Sequence, residues 1–157
     1  MSVFAKMNLK DQDAILVLDA PASFEPELRA LEGVTVHRAP GRLKSVGYFL
    51  AFVTSQPDVD KAVRVAAERT SGDAVVWFAY PKGTSKRYRS TINRDTGWQV
   101  LGAAGFEPVR MVAIDEDWSG VRFRRAEFIK SMTRATGHAL SATGKAKTQA
   151  SAKARRG

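Results

Sequence analysis

The stretch from Ala74 to Arg125 constrains the fold of this chain more than any other. It runs AVVWFAYPKGTSKRYRSTINRDTGWQVLGAAGFEPVRMVAIDEDWSGVRFRR. An apolar run, Ala74–Tyr80, has the length and the β-branched and aromatic content of a strand covered on both faces. Pro81-Lys82-Gly83 breaks it and opens a basic loop. Ser90 or Thr91 is placed to cap a helix carrying Ile92, Trp98, Leu101 and Ala104, which Gly105 ends. Two more strands follow, Val109–Ile114 and Val121–Arg125. Their DEDWSG connection is too short for a parallel crossover, so they pair as an antiparallel hairpin. In the last strand Val121 and Phe123 alternate with Arg122 and Arg124, the pattern of one solvated face.

The N-terminal half repeats the alternation of strand and helix. Ala14–Leu18 and Tyr48–Val53 are continuous apolar runs, and Val34–His37 is a shorter strand. Ser23 is placed to cap a helix with Phe24, Leu28 and Leu31 on one face, which Gly33 ends. Pro57 suits the first turn of a second helix whose Val59, Ala62, Val63, Ala66 and Ala67 follow the 3.6-residue period. Ala126–Ala135 reads as a last short helix with Phe128, Ile129 and Met132 on one side. Alternating elements with fully apolar strands imply an α/β three-layer sandwich: a mainly parallel six-stranded sheet, helices on both faces, ending in an antiparallel hairpin.

A chain of 157 residues is the size of one domain with an appendage. Its 44% hydrophobic residues suffice for a core without disulfides, and it has no cysteine to make any. The lack of cysteine also removes thiolate catalysis and cysteine-ligated zinc or iron–sulfur sites. MSVFAKMNLKDQD has no apolar core of signal-peptide length, and no run approaches the roughly 20 residues of a membrane span. The expected location is cytoplasmic, with no membrane partner. The net charge of +9 is uneven, because Lys145, Lys147, Lys153, Arg155 and Arg156 fall in residues 137–157 with no acid among them. Apart from His138, Leu140 and Gln149, the rest of that segment is Ala, Ser, Thr and Gly, with little apolar surface. The division is therefore a folded domain over 1–136 and a basic, disordered tail over 137–157, suited to weak, sequence-independent contact with nucleic acid.

Four motifs carry a family resemblance. The first strand ends in Asp19-Ala20-Pro21 and the fourth in Tyr80-Pro81-Lys82. Gly105-Phe106 precedes the fifth, and the hairpin turn reads Asp-Glu-Asp-Trp-Ser-Gly from Asp115 to Gly120. Over about residues 8–125 the chain resembles a bacterial domain family of unknown function. That family has a degenerate form of the Rossmann-like fold of S-adenosylmethionine-dependent methyltransferases. The resemblance implies that fold and transfers no activity. The cofactor site of a Rossmann domain needs glycines after the first strand, so that backbone can turn tightly against the ligand. Here Asp19-Ala20-Pro21-Ala22-Ser23-Phe24 has none. His37-Arg38 stands where a ribose-binding acid is expected. Both departures point away from that cofactor, and no cofactor is expected.

The remaining candidate site is the basic loop: Lys82, Lys86, Arg87, Arg89 and Arg94, with hydroxyls from Thr84, Ser85, Ser90 and Thr91. It leaves the carboxyl end of a parallel strand, where open α/β sheets bind ligands. It is also expected to feed a helix N-terminus, which favours anions. Its single glycine follows the lysine, so it is not a Walker loop. Asp115, Glu116 and Asp117 do not converge as metal ligands, so the expectation is a polar turn beside Trp118 and no metal. His37 and His138 lack a nucleophile partner, so no triad is indicated. Trp77, Trp98 and Trp118 are expected to pack rather than to stack on bases. The leading functional expectation is a non-catalytic domain binding a phosphate-bearing ligand or nucleic acid through loop and tail. An atypical S-adenosylmethionine-dependent methyltransferase or nucleotide-using transferase is one alternative. A protein-interaction module using Phe128, Ile129 and Met132 is the other.

Overall fold

A single turn of helix, α1 (Val3–Lys6), opens the chain, capped by the hydroxyl of Ser2. In this computed structural model residues 2–93 and 96–129 are described. Strand β1 (Ala14–Leu18) leads through a 3-10 turn (Ala22–Phe24) into α2 (Glu25–Arg29) and the short β2 (Thr35–His37). Then come β3 (Tyr48–Phe52), α3 (Gln56–Arg69) and β4 (Val75–Pro81). A long loop ends in α4 (Gln99–Ala103), followed by β5 (Phe106–Ala113), β6 (Trp118–Arg125) and a closing 3-10 turn (Ala126–Phe128).

The six strands form one sheet in the order β2-β1-β3-β4-β6-β5. Pairings β1–β2, β1–β3 and β3–β4 are parallel, while β4–β6 and β5–β6 are antiparallel. Helices cover both faces, giving the expected Rossmann-like three-layer sandwich. On one face Val59, Ala62, Val63 and Ala66 of α3 and Leu101 of α4 pack on Leu16, Phe49, Val76, Phe78, Val121 and Phe123. On the other, α1 and α2 bring Val3, Phe4, Met7, Phe24 and Leu28 onto Ile15, Tyr48, Leu50, Phe52 and Trp77. Every residue of β3 and β4 is buried, as a strand between two helical layers requires.

Two helical expectations need correction. Residues 82–93 and 96–98 form no helix, so Ser90 and Thr91 cap nothing; α4 starts at Gln99. Ile92 and Trp98 are buried as predicted, but as loop residues inserted into the core. Their spacing imitates a helical face because both fill the same space beside Phe78 and Leu101. Ser23 sits inside the 3-10 turn, and α2 has no side-chain cap. The turn after β6 is described only through Ile129. The rest of the helix expected to Ala135, Met132, Arg94 and the tail from 137 lie outside the described residues.

The first turn of the chain is held by tertiary contacts. Tyr48 donates its hydroxyl, and Trp77 its indole N–H, to the carbonyl of Met7, each at 2.8 Å. All three residues are fully buried. Two strands thereby anchor a segment too short to be a stable helix alone.

Candidate functional site

The direction of strand order reverses between β1 and β3, since β2 lies outside β1 and β4 outside β3. The carboxyl edge at that reversal is where open α/β sheets hold ligands. Three chain segments meet there: Asp19-Ala20-Pro21 after β1, Arg38 after β2, and Val53-Thr54 after β3.

Asp19 adopts φ 57°, a left-handed conformation that glycine enters most easily and Asp tolerates better than most residues. The sharp turn after β1 is therefore made, but with a side chain present and with Pro21 supplying no N–H. Across the gap, Arg38 Nη1 donates to Glu25 Oε1 at 2.8 Å and Nη2 to the second carboxylate oxygen. This paired bond, opposed by slight desolvation and aided by the charge of Arg38, holds the Glu25 carboxyl below its ordinary value. It joins the start of α2 to the end of β2. Beneath it the ring of Phe24 packs on Phe52 and Phe4, at centroid distances of 4.9 and 5.6 Å.

The loop after β4 folds back over the same edge. Thr91 donates its N–H to the carbonyl of Thr54 at 3.0 Å, and the hydroxyls of Ser90 and Thr91 reach that carbonyl at 3.3 and 3.4 Å. Ser90 also donates to the Ile92 carbonyl and accepts the Ile92 N–H. Ser85 donates to Asp117, accepts the Tyr88 N–H, and is held through its own N–H by the carbonyl of Lys82. Of the four hydroxyls expected to serve a ligand, Ser85, Ser90 and Thr91 instead shape the loop. Thr84 is exposed. Trp118 is buried, its ring against Phe52 and Tyr88 at 5.1 and 4.9 Å.

Between loop and sheet lies a cleft of about 490 Å³. Lys82 and Arg89 contribute its cations, Gly83 and Pro81 its backbone, and Tyr80, Tyr88, Ser90, Thr91 and Asn93 its polar and aromatic walls; among the described residues no carboxylate lines it. Among the described residues neither Lys82 nor Arg89 forms an ion pair. Lys86 and Arg87 are elsewhere: with Thr84 they border a smaller recess of about 280 Å³ whose other wall is Glu116 and Asp117. The described residues of the basic loop thus form two surfaces, one whose charged groups are cations and one of mixed charge. Among the described residues no helix N-terminus faces the cleft. The sequence reading missed Tyr88 and Asn93; the aromatic residue set between Arg87 and Arg89 was the available signal.

The acidic turn is a polar turn. Asp115 Oδ1 accepts the N–H groups of Asp117 and Trp118, both at 2.8 Å. Trp118, Ser119 and Gly120, expected in the turn, belong to β6. Asp117 pairs with Ser85 rather than with an arginine. The face of β6 expected to be solvated is partly so: Val121 and Phe123 are buried, while Arg122 is half-buried and Arg124, partly exposed, is bound to Asp73. Phe128 is exposed. Trp77 and Trp98 pack in the two cores, as expected. Among the described residues no helix is long and apolar enough to cross a membrane.

With this geometry in hand, the chain can be set beside solved structures. It is similar to a SAM-dependent methyltransferase from Aquifex aeolicus, with 13% identity and a TM-score of 0.56, over 78% of this chain and 87% of that one. A ribosomal protein L11 methylase from Lactobacillus delbrueckii subsp. bulgaricus gives 10% identity and a TM-score of 0.51, over 78% and 74%. Aeropyrum pernix fibrillarin, in complex with natively bound S-adenosyl-L-methionine, gives 13% and 0.50, over 77% and 72%. No family model matches the chain, and no curated protein matches its sequence. The fold is therefore that of Rossmann-like methyltransferases, and at these identities the likeness reaches no further than the fold.

The residues at the reversal point do not fit that cofactor. A nucleoside ligand there needs close backbone approach after β1 and an acid for its ribose after β2. This chain offers a turn without glycine, a proline without an N–H, and Arg38 already committed to Glu25.

Proposed function

We propose that this chain is a non-catalytic Rossmann-like domain that binds a phosphate-bearing ligand or nucleic acid in the cleft beyond β4. The observation that carries this reading is the cleft's lining: Lys82 and Arg89, with no carboxylate among the described residues, at the carboxyl edge of a parallel strand. Two ammonium or guanidinium groups facing one cavity favour a multiply charged oxyanion. Tyr88 adds an aromatic wall suited to a base or sugar. Among the described residues neither a histidine nor a carboxylate lines the cleft to serve as general base. The tail residues Lys145, Lys147, Lys153, Arg155 and Arg156 would strengthen contact with a polyanion through counterion release.

The test is fluorescence anisotropy with a short labelled single strand, competed by pyrophosphate and by ATP. The expected result is saturable binding at low salt that Lys82→Ala with Arg89→Ala weakens by roughly tenfold or more. Lys86→Ala with Arg87→Ala should weaken it less, because Glu116 and Asp117 stand beside those residues. Undiminished binding by the first double variant would remove the cleft from consideration.

The fold likeness favours a second reading, an atypical S-adenosylmethionine-dependent methyltransferase. The Arg38–Glu25 bridge and the glycine-free turn at Asp19 weigh against it. Calorimetry with S-adenosylmethionine separates the two. The proposal expects no saturable heat, and micromolar binding would transfer preference to the enzyme.

A further inference from the structure

The β5–β6 hairpin carries a second concentration of positive charge, on the face that α1 covers elsewhere. Arg110 of β5 and Arg122 of β6 are direct register partners, so their side chains leave the sheet on the same side. Like charges so placed repel. Arg124, two residues further along that face, has its own solution: it binds Asp73 through two contacts of 2.7 Å. Asp73 is thereby committed. Among the described residues neither Arg110 nor Arg122 has an ion pair. The Nε of Arg122 is buried without a hydrogen-bond partner.

An exposed arginine on an edge strand has an ordinary explanation, since charge there discourages edge-to-edge pairing. That explanation covers Arg110. It does not cover Arg122, which stands on an interior strand opposite Trp77. A half-buried guanidinium with an orphaned N–H costs stability unless something accepts from it. Desolvation, then the charge of Arg124, push its proton affinity down; the charge of Asp73 opposes them in part, and Arg110 adds to the lowering.

We propose that Arg110 and Arg122 form a binding site for a phosphate group on the outer part of this face, separate from the cleft at β4. Directly paired residues of neighbouring strands hold their Cβ atoms about 5 Å apart. From that spacing two guanidinium forks converge on different oxygens of one tetrahedral oxyanion. Its charge removes the repulsion, and its oxygens accept from the outer Nη groups of the two arginines. The phosphate can be inorganic or part of a phosphodiester strand.

The experiment follows the arginine Nε–Hε resonances of the full chain by NMR, titrated with inorganic phosphate and separately with a short single-stranded oligonucleotide. A saturable shift of the Arg122 resonance is expected. Arg110→Ala should weaken it roughly tenfold, the loss of one charge-assisted contact, while Lys82→Ala with Arg89→Ala leaves it in place. A shift at much lower oligonucleotide than phosphate concentration identifies a phosphodiester; equal sensitivity identifies the free ion. Thermal melting gives a second readout, for which exposed Arg110 is a safe site. In phosphate-free buffer Arg110→Ala should raise Tm by removing repulsion, and it should abolish the rise that phosphate gives the unmodified chain. An unmoved Arg122 resonance, or an Arg110→Ala variant that phosphate shifts and stabilises as before, overturns the proposal.

Discussion

Ser85 donates its hydroxyl to Asp117 at 2.8 Å, tying the loop that leaves β4 to the turn that joins β5 and β6. The tie is doubled by backbone, because the Lys82 N–H donates to the carbonyl of Asp117 at the same distance. Lys82 thus enters the cleft from a fixed stem. The acidic turn, which resembles a metal site in composition, instead positions a cation.

Ser85→Ala should cost roughly 0.5–1.5 kcal/mol, the net worth of one hydrogen bond, and Asp117→Ala roughly 1–3 kcal/mol, because it also strands Ser85 in a half-buried setting. Both should weaken oligonucleotide binding without removing a cleft cation. Urea denaturation and anisotropy together check this. Effects no larger than those of Thr84→Ala, at an exposed neighbour, would show that the tie is incidental.

The Met7 carbonyl accepts from Tyr48 and Trp77 together, so the two bonds back each other up. Tyr48→Phe alone should cost about 1 kcal/mol, since Trp77 still satisfies the carbonyl. Combined with Trp77→Phe it leaves a buried acceptor orphaned. The double variant should therefore exceed the sum of the singles by roughly 0.5–3 kcal/mol in a double-mutant cycle. Burial also pushes the Tyr48 phenol above its ordinary 10.0. A folded state that keeps a proton the unfolded chain loses becomes less stable as pH rises beyond that value. Tyr48→Phe should flatten this alkaline decline, and an unchanged slope would assign the decline to other groups.

At the acid end the sign is opposite. Asp58 is partly desolvated, which raises its pKa. The N–H and hydroxyl of Thr54, with donors from Ser55, outweigh this and hold it below 3.8. Asp73 is held down chiefly by its bond to Arg124. Carboxylates depressed on folding stabilise above their unfolded pKa, and that contribution disappears as pH falls through the folded value. Stability should be flat from neutrality to about pH 5 and fall below about pH 4. Asp58→Asn and Asp73→Asn should each shallow that fall. A melting series that is equally steep for both variants would point to other acids.

Gly97 turns the chain into α4 with φ 97°, and a Cβ there would meet Ile92 Cγ2 at 2.7 Å. Left-handed strain and displacement of a core side chain act together, so Gly97→Ala should cost roughly 1–3 kcal/mol. Chemical denaturation reads the cost directly. A neutral result would mean that residues 92–97 repack freely.

How much of this was legible before the structure depends on which physical effect dominated each segment. β1, β3 and β4 are written as unbroken apolar runs because both their faces are buried, so composition and position carry one message. The hairpin follows from loop length alone. Segment 82–98 misleads because Ile92 and Trp98 enter the core from irregular backbone, and spacing does not distinguish that from a helix. α1 is invisible to periodicity; it is four residues long and exists through bonds to Tyr48 and Trp77. Of the site, Lys82 and Arg89 were recognisable as cations after a parallel strand. Their separation from Lys86 and Arg87 depends on Ser85 reaching Asp117, across 32 residues of sequence.

That separation makes the salt dependence of binding diagnostic. For single strands the slope of log affinity against log salt changes by about 0.7 for each phosphate neutralised. If Lys82 and Arg89 each meet one phosphate, their joint replacement by Ala should make the slope shallower by about 1.4. Lys86 and Arg87 face Glu116 and Asp117 across their recess, so part of their charge is already balanced and replacing them should change the slope by less. Basic residues of the tail act on every variant alike and cancel in the difference. Equal slope changes for the two pairs would mean that the loop attracts polyanions only through its net charge, and that the cleft makes no defined contact.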